Sequence, residues 1–255
     1  MITVWHQTRH PLSGYRRCVR CVMDTSDTMI GFDAEGVCSH CRAFDATRAQ
    51  AWQPNQEGAR RIQAYVDSVK RENRDKDYDV IIGLSGGVDS SYVAYLAATH
   101  GLRALVLHVD CGWNTELAVK NIESVVRHLN FDLQTVVIDW DEMRDLQLSF
   151  LKSGVANCDT PQDHALIAAL YKEVVKSGVR HMLTGDNYPT ECILPRSWGY
   201  TALDSRHLRA IHQRFGARPL RTFPVLSFRE YCGYMVTAQV PIGKKPLDSR
   251  FPEGF

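Results

Sequence analysis

Nowhere in the chain do apolar residues run unbroken for the roughly 18 positions that a membrane-spanning helix needs. The opening MITVWHQTRHPLSGYRRC is too polar for a secretory signal. A soluble, cytoplasmic protein with no membrane partner is therefore expected. Neither sign of charge is in excess: 30 Lys and Arg stand against 29 Asp and Glu, a formal net charge of +1. A dedicated nucleic-acid binder carries a strong basic footprint, so this balance argues against nucleic acid as a partner and leaves only local basic patches open. There is no internal repeat and no low-complexity tract. Cysteine is too sparse for a secreted disulfide scaffold, with eight in 255 residues and four of those in two C-x-x-C pairs. The lysine of a G-x-x-x-x-G-K-[ST] phosphate loop is missing, and so is any glutaminase-like segment.

What remains is an ordinary globular composition, 44% hydrophobic and 23% charged, enough to build a core. Residues 15–45 hold the paired cysteines, with Asp33-Ala34-Glu35-Gly36 reading as a hairpin turn between the pairs. In residues 46–78, Ile62, Tyr65, Val66 and Val69 recur at helical spacing and predict an amphipathic linker helix. Residues 79–230 alternate strands and helices. Val80–Leu84 is a short β-branched run, the mark of a strand buried on both faces. Helix Ser90–His100 follows, stopped by Gly101. Strands are expected at Ala104–Val109, Thr135–Ile138 and His181–Thr184, with helices through Ile122–Leu129 and Leu166–Val174 between them. The pattern predicts an α/β fold with a doubly wound, mostly parallel sheet, whose ligands bind beyond the carboxyl ends of the strands.

The first strand runs straight into Ser85-Gly86-Gly87-Val88-Asp89-Ser90-Ser91 and a helix. Adjacent glycines let the backbone take unusual conformations and let phosphate oxygens approach closely. Their N–H groups, with those of the helix N-terminus, form an anion-binding nest. The hydroxyls of Ser85, Ser90 and Ser91 add donors, and Asp89 is placed either to cap the helix or to hold a magnesium ion. The alternative is a Gly-Gly turn whose Ser and Asp merely cap a helix. Two other strand ends are candidates. Asp110 and Cys111 follow the second strand. Thr184-Gly185-Asp186-Asn187 follows the fourth, where a carboxylate such as Asp186 can help hold magnesium. Ordinary turn chemistry explains the same residues equally simply.

Cys18-x-x-Cys21 and Cys38-x-x-Cys41 are separated by sixteen residues, inside the spacing of structural Cys₄ zinc sites. A closed four-thiolate shell leaves no position for water, so the expected zinc is structural. Redox thiols and an iron–sulfur cluster are the alternatives. His40 lies inside the second knuckle and is expected to be a bystander.

SGGVDSS resembles the loop of the PP-loop, or N-type, ATP pyrophosphatases, which implies cleavage of ATP between its α and β phosphates and nucleoside contacts near Asp110. Together CVRCVMDTSDTMIGFDAEGVCSHC, GLSGGVDSSY, HVDCGWNTELAVKNI, LKSGVANCDTPQDHALIAALY and LTGDNYPTECILPRSWGY are similar to the N-acetyl sugar amidotransferases of O-antigen and related surface-glycan pathways. That resemblance implies an enzyme that uses ATP and Mg²⁺ to adenylate the acetamido oxygen of a nucleotide-linked sugar. Ammonia then displaces AMP and leaves an acetamidino group. It also implies glutaminase and cyclase-like partner subunits, since the nitrogen must be released elsewhere. The catalytic candidates are Asp89, Asp186, Asn187 and His164, the last as a proton shuttle at the start of a helix. Residues 85–91, Asp110 and Gly185 are the nucleotide-binding candidates. Arg206, Arg209, Arg214, Arg218 and Arg221 read either as phosphate ligands for the sugar nucleotide or as a solvated helix face. The resemblance fades after Tyr231, so residues 231–255 are expected to be an atypical, shortened tail. Rival readings are a PP-loop tRNA-modifying enzyme and a non-enzymatic ATP- and zinc-binding interaction protein.

Overall fold

A computed structural model describes residues 14–51, 53–186, 195–198 and 201–236. Its frame is a parallel sheet of four strands in the order β3-β2-β1-β4. Strand β1 (Val80–Gly83) pairs with β2 (Ala104–Asp110) in the register Val80↔Ala104, and on its other side with β4 (Met182–Leu183) in the register Ile81↔Met182. Strand β3 (Asp132–Val137) closes the edge beyond β2, with Leu105 opposite Asp132. The chain thus builds outward from β1 to β3, then returns to lay β4 on β1's other side. That reversal opens a crevice at the carboxyl ends of β1 and β4.

Both faces of the sheet are covered, which is why the β1 sequence shows no alternation. On one face Val80 and Ile82 pack against α2 (Gln56–Glu72) and α3 (Val88–Thr99), through Ile62, Val66, Val69, Val93 and Ala97. On that face α4 (Glu116–Leu129) covers Leu84 and Val106 with Ile122. On the other face Ile81, Leu105 and Leu107 meet α6 (Thr160–Ser177) through Ala168, Leu170 and Val174. Helix α2, expected as a linker, is thus part of the main core. Asn55 caps it by accepting from the Glu57 and Gly58 N–H groups at 3.0 and 3.1 Å.

Helix α1 (Ser39–Ala51) grows out of the second cysteine knuckle, and α5 (Trp140–Ser153) follows β3. Neither was anticipated, although Met143, Leu146 and Phe150 carry a helical spacing and are fully buried. They pack with Leu208 and Ile211 of α7 (Ser205–Phe215) in a third core cluster. Helix α8 (Phe228–Val236) ends the described chain. Among the described residues no helix is long and apolar enough to cross a membrane.

Two carboxylates of α5 hold the segment after α7. Glu142 is buried and accepts from the backbone N–H groups of Arg221, Thr222 and Phe223 at 2.8–3.1 Å. Asp145 accepts from Ala217 and Arg218 N–H and from the His212 ring at 3.0–3.1 Å. Burial pushes both carboxyls up, but these N–H donors outweigh it and hold them below the usual carboxylate range. A carboxyl depressed in the folded state contributes stability above its unfolded value, about 4–4.5. That contribution is lost as pH falls through the folded value. Urea midpoints should therefore decline below about pH 4.5. Glu142→Ala should cost about 3 kcal/mol at pH 7 by stranding buried N–H groups, and should flatten the acid decline. Equal slopes in the variant and the parent would show that the pair has no such linkage.

Candidate functional site

At the end of β1 the backbone turns sharply. Gly86 sits at φ +79, and a Cβ there would lie 2.4 Å from the Ala118 carbonyl oxygen of α4. Only glycine fits both constraints. Asn121 of α4 donates to the Gly86 carbonyl at 3.0 Å and pins the loop from the same side. Gly87 begins α3 with no side-chain cap, so the first N–H groups of that helix lack the usual protein acceptor. Together with the positive end of the helix dipole, this is a site for an anion.

The serines divide the work differently from expectation. Ser90 is buried, and its hydroxyl accepts from Ser85 N–H at 3.2 Å, donates to the Gly87 carbonyl at 3.3 Å and lies 3.1 Å from Ser85 Oγ. It braces the loop from within. Ser85 lines the cleft, whereas Ser91 and Val88 are not among its lining residues. Asp89 is exposed at the first turn of α3 and lines the cleft.

The end of β4 comes into direct contact with this loop. A Cβ on Gly185 would lie 2.8 Å from Ser90 N and 3.1 Å from Asp89 Cβ. Glycine at 185 is what lets the two segments meet, and Asp89 and Asp186 line the same cleft of about 480 Å³. Thr184 donates its hydroxyl to Asp186. Two carboxylates beside an anion site make an oxygen donor set suited to a hard divalent cation. Asn187, the remaining candidate here, lies outside the described residues.

At the end of β2, Asp110 serves its own loop: Oδ1 accepts from Gly112 N–H at 2.9 Å and from the Asn114 amide at 2.8 Å. The cleft wall is instead made by His108, Cys111, Trp113 and Asn114. His108 Nδ1 donates to the Leu84 carbonyl at 3.0 Å, and Nε2 accepts from Asn114 at 3.0 Å. Burial and the carboxylates of Asp110 and Asp159 push the Cys111 thiol up to about 11, so it stays protonated and lines the cleft as an apolar surface. Trp113 is 54% exposed at the rim and meets Trp140 edge-on, with ring centroids 5.1 Å apart. His108 was overlooked in the sequence, although a histidine inside a run as apolar as β2 is a signal in itself.

His164 does not face the cleft, and the proton-shuttle expectation is corrected. It is fully buried, with Nδ1 donating to the Ala202 carbonyl at 2.5 Å and Nε2 accepting from Leu226 N–H at 3.0 Å. Burial pushes its pKa down. A ring with both nitrogens bound to backbone has no free position for a substrate proton, so its role is packing. The arginines do not converge either. Arg206 pairs with Asp204 at 3.5 Å, Arg218 with Asp141 at 2.6 Å, and Arg214 lies over the Phe215 ring. Arg206, Arg209 and Arg214 lie on α7, while Arg218 and Arg221 follow it, so the five share no single helix face.

The four paired cysteines do converge. Their sulfurs all lie within 4.8 Å of one another, with Cys21–Cys38 at 3.7 Å and Cys18–Cys41 at 4.0 Å. Zn–S bonds of about 2.3 Å give a tetrahedron with edges of about 3.8 Å, so the set fits zinc. Burial would raise the Cys18 thiol, but N–H groups of Arg20, Cys21 and Cys38 bring it down to about 6. His40 is not part of the converging cluster, as expected of a bystander to the metal; its Nε2 lies 2.7 Å from Asp27 Oδ2.

Residues 63–187, from α2 to just past β4, match the asparagine synthase family. The chain is 30% identical over 137 residues to the glutamine-hydrolyzing GMP synthase of Pyrobaculum aerophilum. That alignment covers 52% of this chain and only 24% of the GMP synthase. Among solved structures it resembles the NH3-dependent NAD synthetase of Campylobacter jejuni, at 16% identity and TM-score 0.40, over 61% of this chain and 72% of that one. It also resembles the NMN synthetase of Francisella tularensis, at 18% identity and TM-score 0.41, over 78% and 92%. The family match, which spans the Ser85–Ser91 loop, and the GMP synthase similarity support a PP-loop ATP pyrophosphatase domain.

Proposed function

We propose that this chain is an ATP-utilising, AMP-forming amidotransferase, and that its acceptor is the acetamido group of a nucleotide-linked N-acetyl sugar. The observation that carries the ATP chemistry is the uncapped α3 N-terminus behind Gly86, with Asp89 and Asp186 facing one cleft. Nitrogen transfer is supported by the asparagine synthase match and by the likeness to a glutamine-hydrolyzing GMP synthase. The sugar acceptor rests on the run of motifs from Cys18 to Trp198.

In this reading the loop N–H groups hold the pyrophosphate portion of ATP and stabilise the charge that develops on it as it leaves. Asp89 and Asp186 would hold Mg²⁺, which supplies charge neutralisation at the phosphates. The acceptor's amide oxygen attacks the α-phosphorus and pyrophosphate departs. An amide carbon resists ammonia because its oxygen leaves poorly, and adenylation turns that oxygen into part of AMP. Ammonia then adds to the carbon and AMP leaves, giving the amidine. The apolar wall of Cys111, Leu166, Ile167 and Leu170 keeps competing water from the reacting carbon. Ammonia comes from a glutaminase partner.

ATP consumption by the full chain tests the acceptor, measured with N-acetyl sugar nucleotides and with bulk tRNA. The expected outcome is turnover with a sugar nucleotide plus high ammonium salt, none with glutamine alone, and glutamine use restored by an added glutaminase. Turnover stimulated by tRNA and by no sugar would overturn the sugar acceptor and leave adenylation standing.

A further inference from the structure

The cysteine module contains a buried carboxylate with partners both inside and outside it. Asp27 is 1% exposed. Its Oδ2 faces His40 Nε2 at 2.7 Å, between Cys38 and Cys41, and its Oδ1 accepts from Met29 N–H at 3.0 Å. Those two bonds lie within the module. The third comes from far along the chain: Ser197 donates its hydroxyl to Oδ1 at 2.6 Å, across a separation of 170 residues. Ser197 belongs to a short 3₁₀ turn, Arg196–Trp198, which follows Asp186 and β4 in the chain. Pro195 before it is buried, and Trp198 N–H closes the turn onto the Pro195 carbonyl at 3.1 Å. Ser197 itself is exposed, and among the described residues its side chain bonds to Asp27.

A buried carboxylate costs free energy unless donors surround it. An O–H···O⁻ bond of 2.6 Å lies in the short, charge-assisted class. The carboxylate makes sense as a receiver for a hydroxyl from outside. The geometry points to Asp27 and Ser197 as a positioning pair, through which the Cys₄ module holds the Arg196–Trp198 turn that follows β4 in the chain. His40 fixes the Asp27 carboxylate and links it to the knuckle. A second anchor lies further on, where His164 holds the Ala202 carbonyl. Among the described residues, the chain beyond Asp186 meets the cysteine module at Ser197 and α6 at Ala202. The module then contributes to order at the cleft, besides any part in its own folding.

The claim about turnover rests on the proposed ATP chemistry, while the claim about anchoring does not, and the experiment separates them. Hydrogen exchange of the full metal-loaded chain would be compared with that of Ser197→Ala and Ser197→Thr. Ser197→Ala should raise exchange at residues 196–198 by about tenfold, with metal content unchanged. Ser197→Thr keeps the hydroxyl and should restore protection. In the same samples Ser197→Ala should lower kcat for AMP formation with little change in KM for ATP. Unchanged exchange at 196–198 would overturn the proposal. So would a rise confined to residues 15–45, which would mean that the hydroxyl supports the module instead. If the parent chain forms no AMP, the functional reading fails and the exchange result still decides the anchor.

Discussion

Asp89→Ala should reduce formation of AMP and pyrophosphate by about 10²–10³-fold, the scale of losing one preorganised charge stabiliser. It should leave the fold and the metal content of the cysteine module unchanged. The argument begins with what Asp89 does not do. It is exposed, α3 is preceded by Gly87 with no side-chain cap, and no core residue depends on it. Its favourable position near the helix dipole is worth only about 0.3–1 kcal/mol of stability. What it does share is a cleft with Asp186, brought there by the contact of Gly185 with residues 89 and 90. Chromatography of a turnover mixture reads the products directly. AMP with pyrophosphate is expected, since the loop lacks the lysine of ADP-forming loops. ADP with phosphate in stoichiometric amounts would count against the phosphate-loop assignment. An Asp89→Ala chain as active as the parent would remove Asp89 from the site.

Much of the fold was legible because it depends on short-range patterns. The Val80–Leu84 run, with no polar alternation, specified a strand covered on both faces, and the structure covers it on both. Ile62, Tyr65, Val66 and Val69 specified the buried face of α2. Strand ends were less legible. Strand β3 begins at Asp132, three residues before the expected Thr135, because pairing to Leu105 rather than local propensity sets its start. The site divided along the same line. Residues 85–91 and 184–186 could be nominated from the chain, since each follows a strand. Their meeting through Gly185 could not, and neither could the burial of His164 against Leu226 and Ala202. A histidine near the start of a helix reads as accessible until the packing of the partner segment is known. Asp27 and Ser197 carry no local signal at all, because their significance lies entirely in a contact between distant parts of the chain.

Stripping metal from the cysteine module, or replacing Cys38 with Ser, should unfold residues 15–45 and leave the parallel sheet in place. The module's core is Cys18, Cys38, Cys41 and Met23, with Cys21, Ile30, Phe32 and Val37 only partly buried against them. Its regular backbone pairing is limited to the bridges Arg17↔Asp24 and Phe32↔Cys38. So little apolar surface cannot offset the conformational entropy of ordering thirty or so residues, at roughly 1–2 kcal/mol each for the backbone alone. Structural zinc contributes about 10–16 kcal/mol in peptides of this kind, in addition to the module's own hydrogen bonds and burial. The thiols are also arranged in advance. Cys18 accepts from Arg20 and Cys38 N–H at 3.4 and 3.3 Å, and Cys38 accepts from Cys41 N–H at 3.4 Å. The donors to Cys18 favour its thiolate, the form that binds metal, while burial raises the Cys21 and Cys41 thiols. Elemental analysis of the purified chain should find one zinc per molecule, and chelation should raise hydrogen exchange across residues 15–45 by several orders of magnitude while residues 80–83 and 104–107 stay protected. Folded protein with iron, or with no metal and an ordered module, would sink the zinc assignment. Loss of the sheet together with the module would show that the two fold as one unit, and that the Asp27–Ser197 contact carries more of the structure than one anchor.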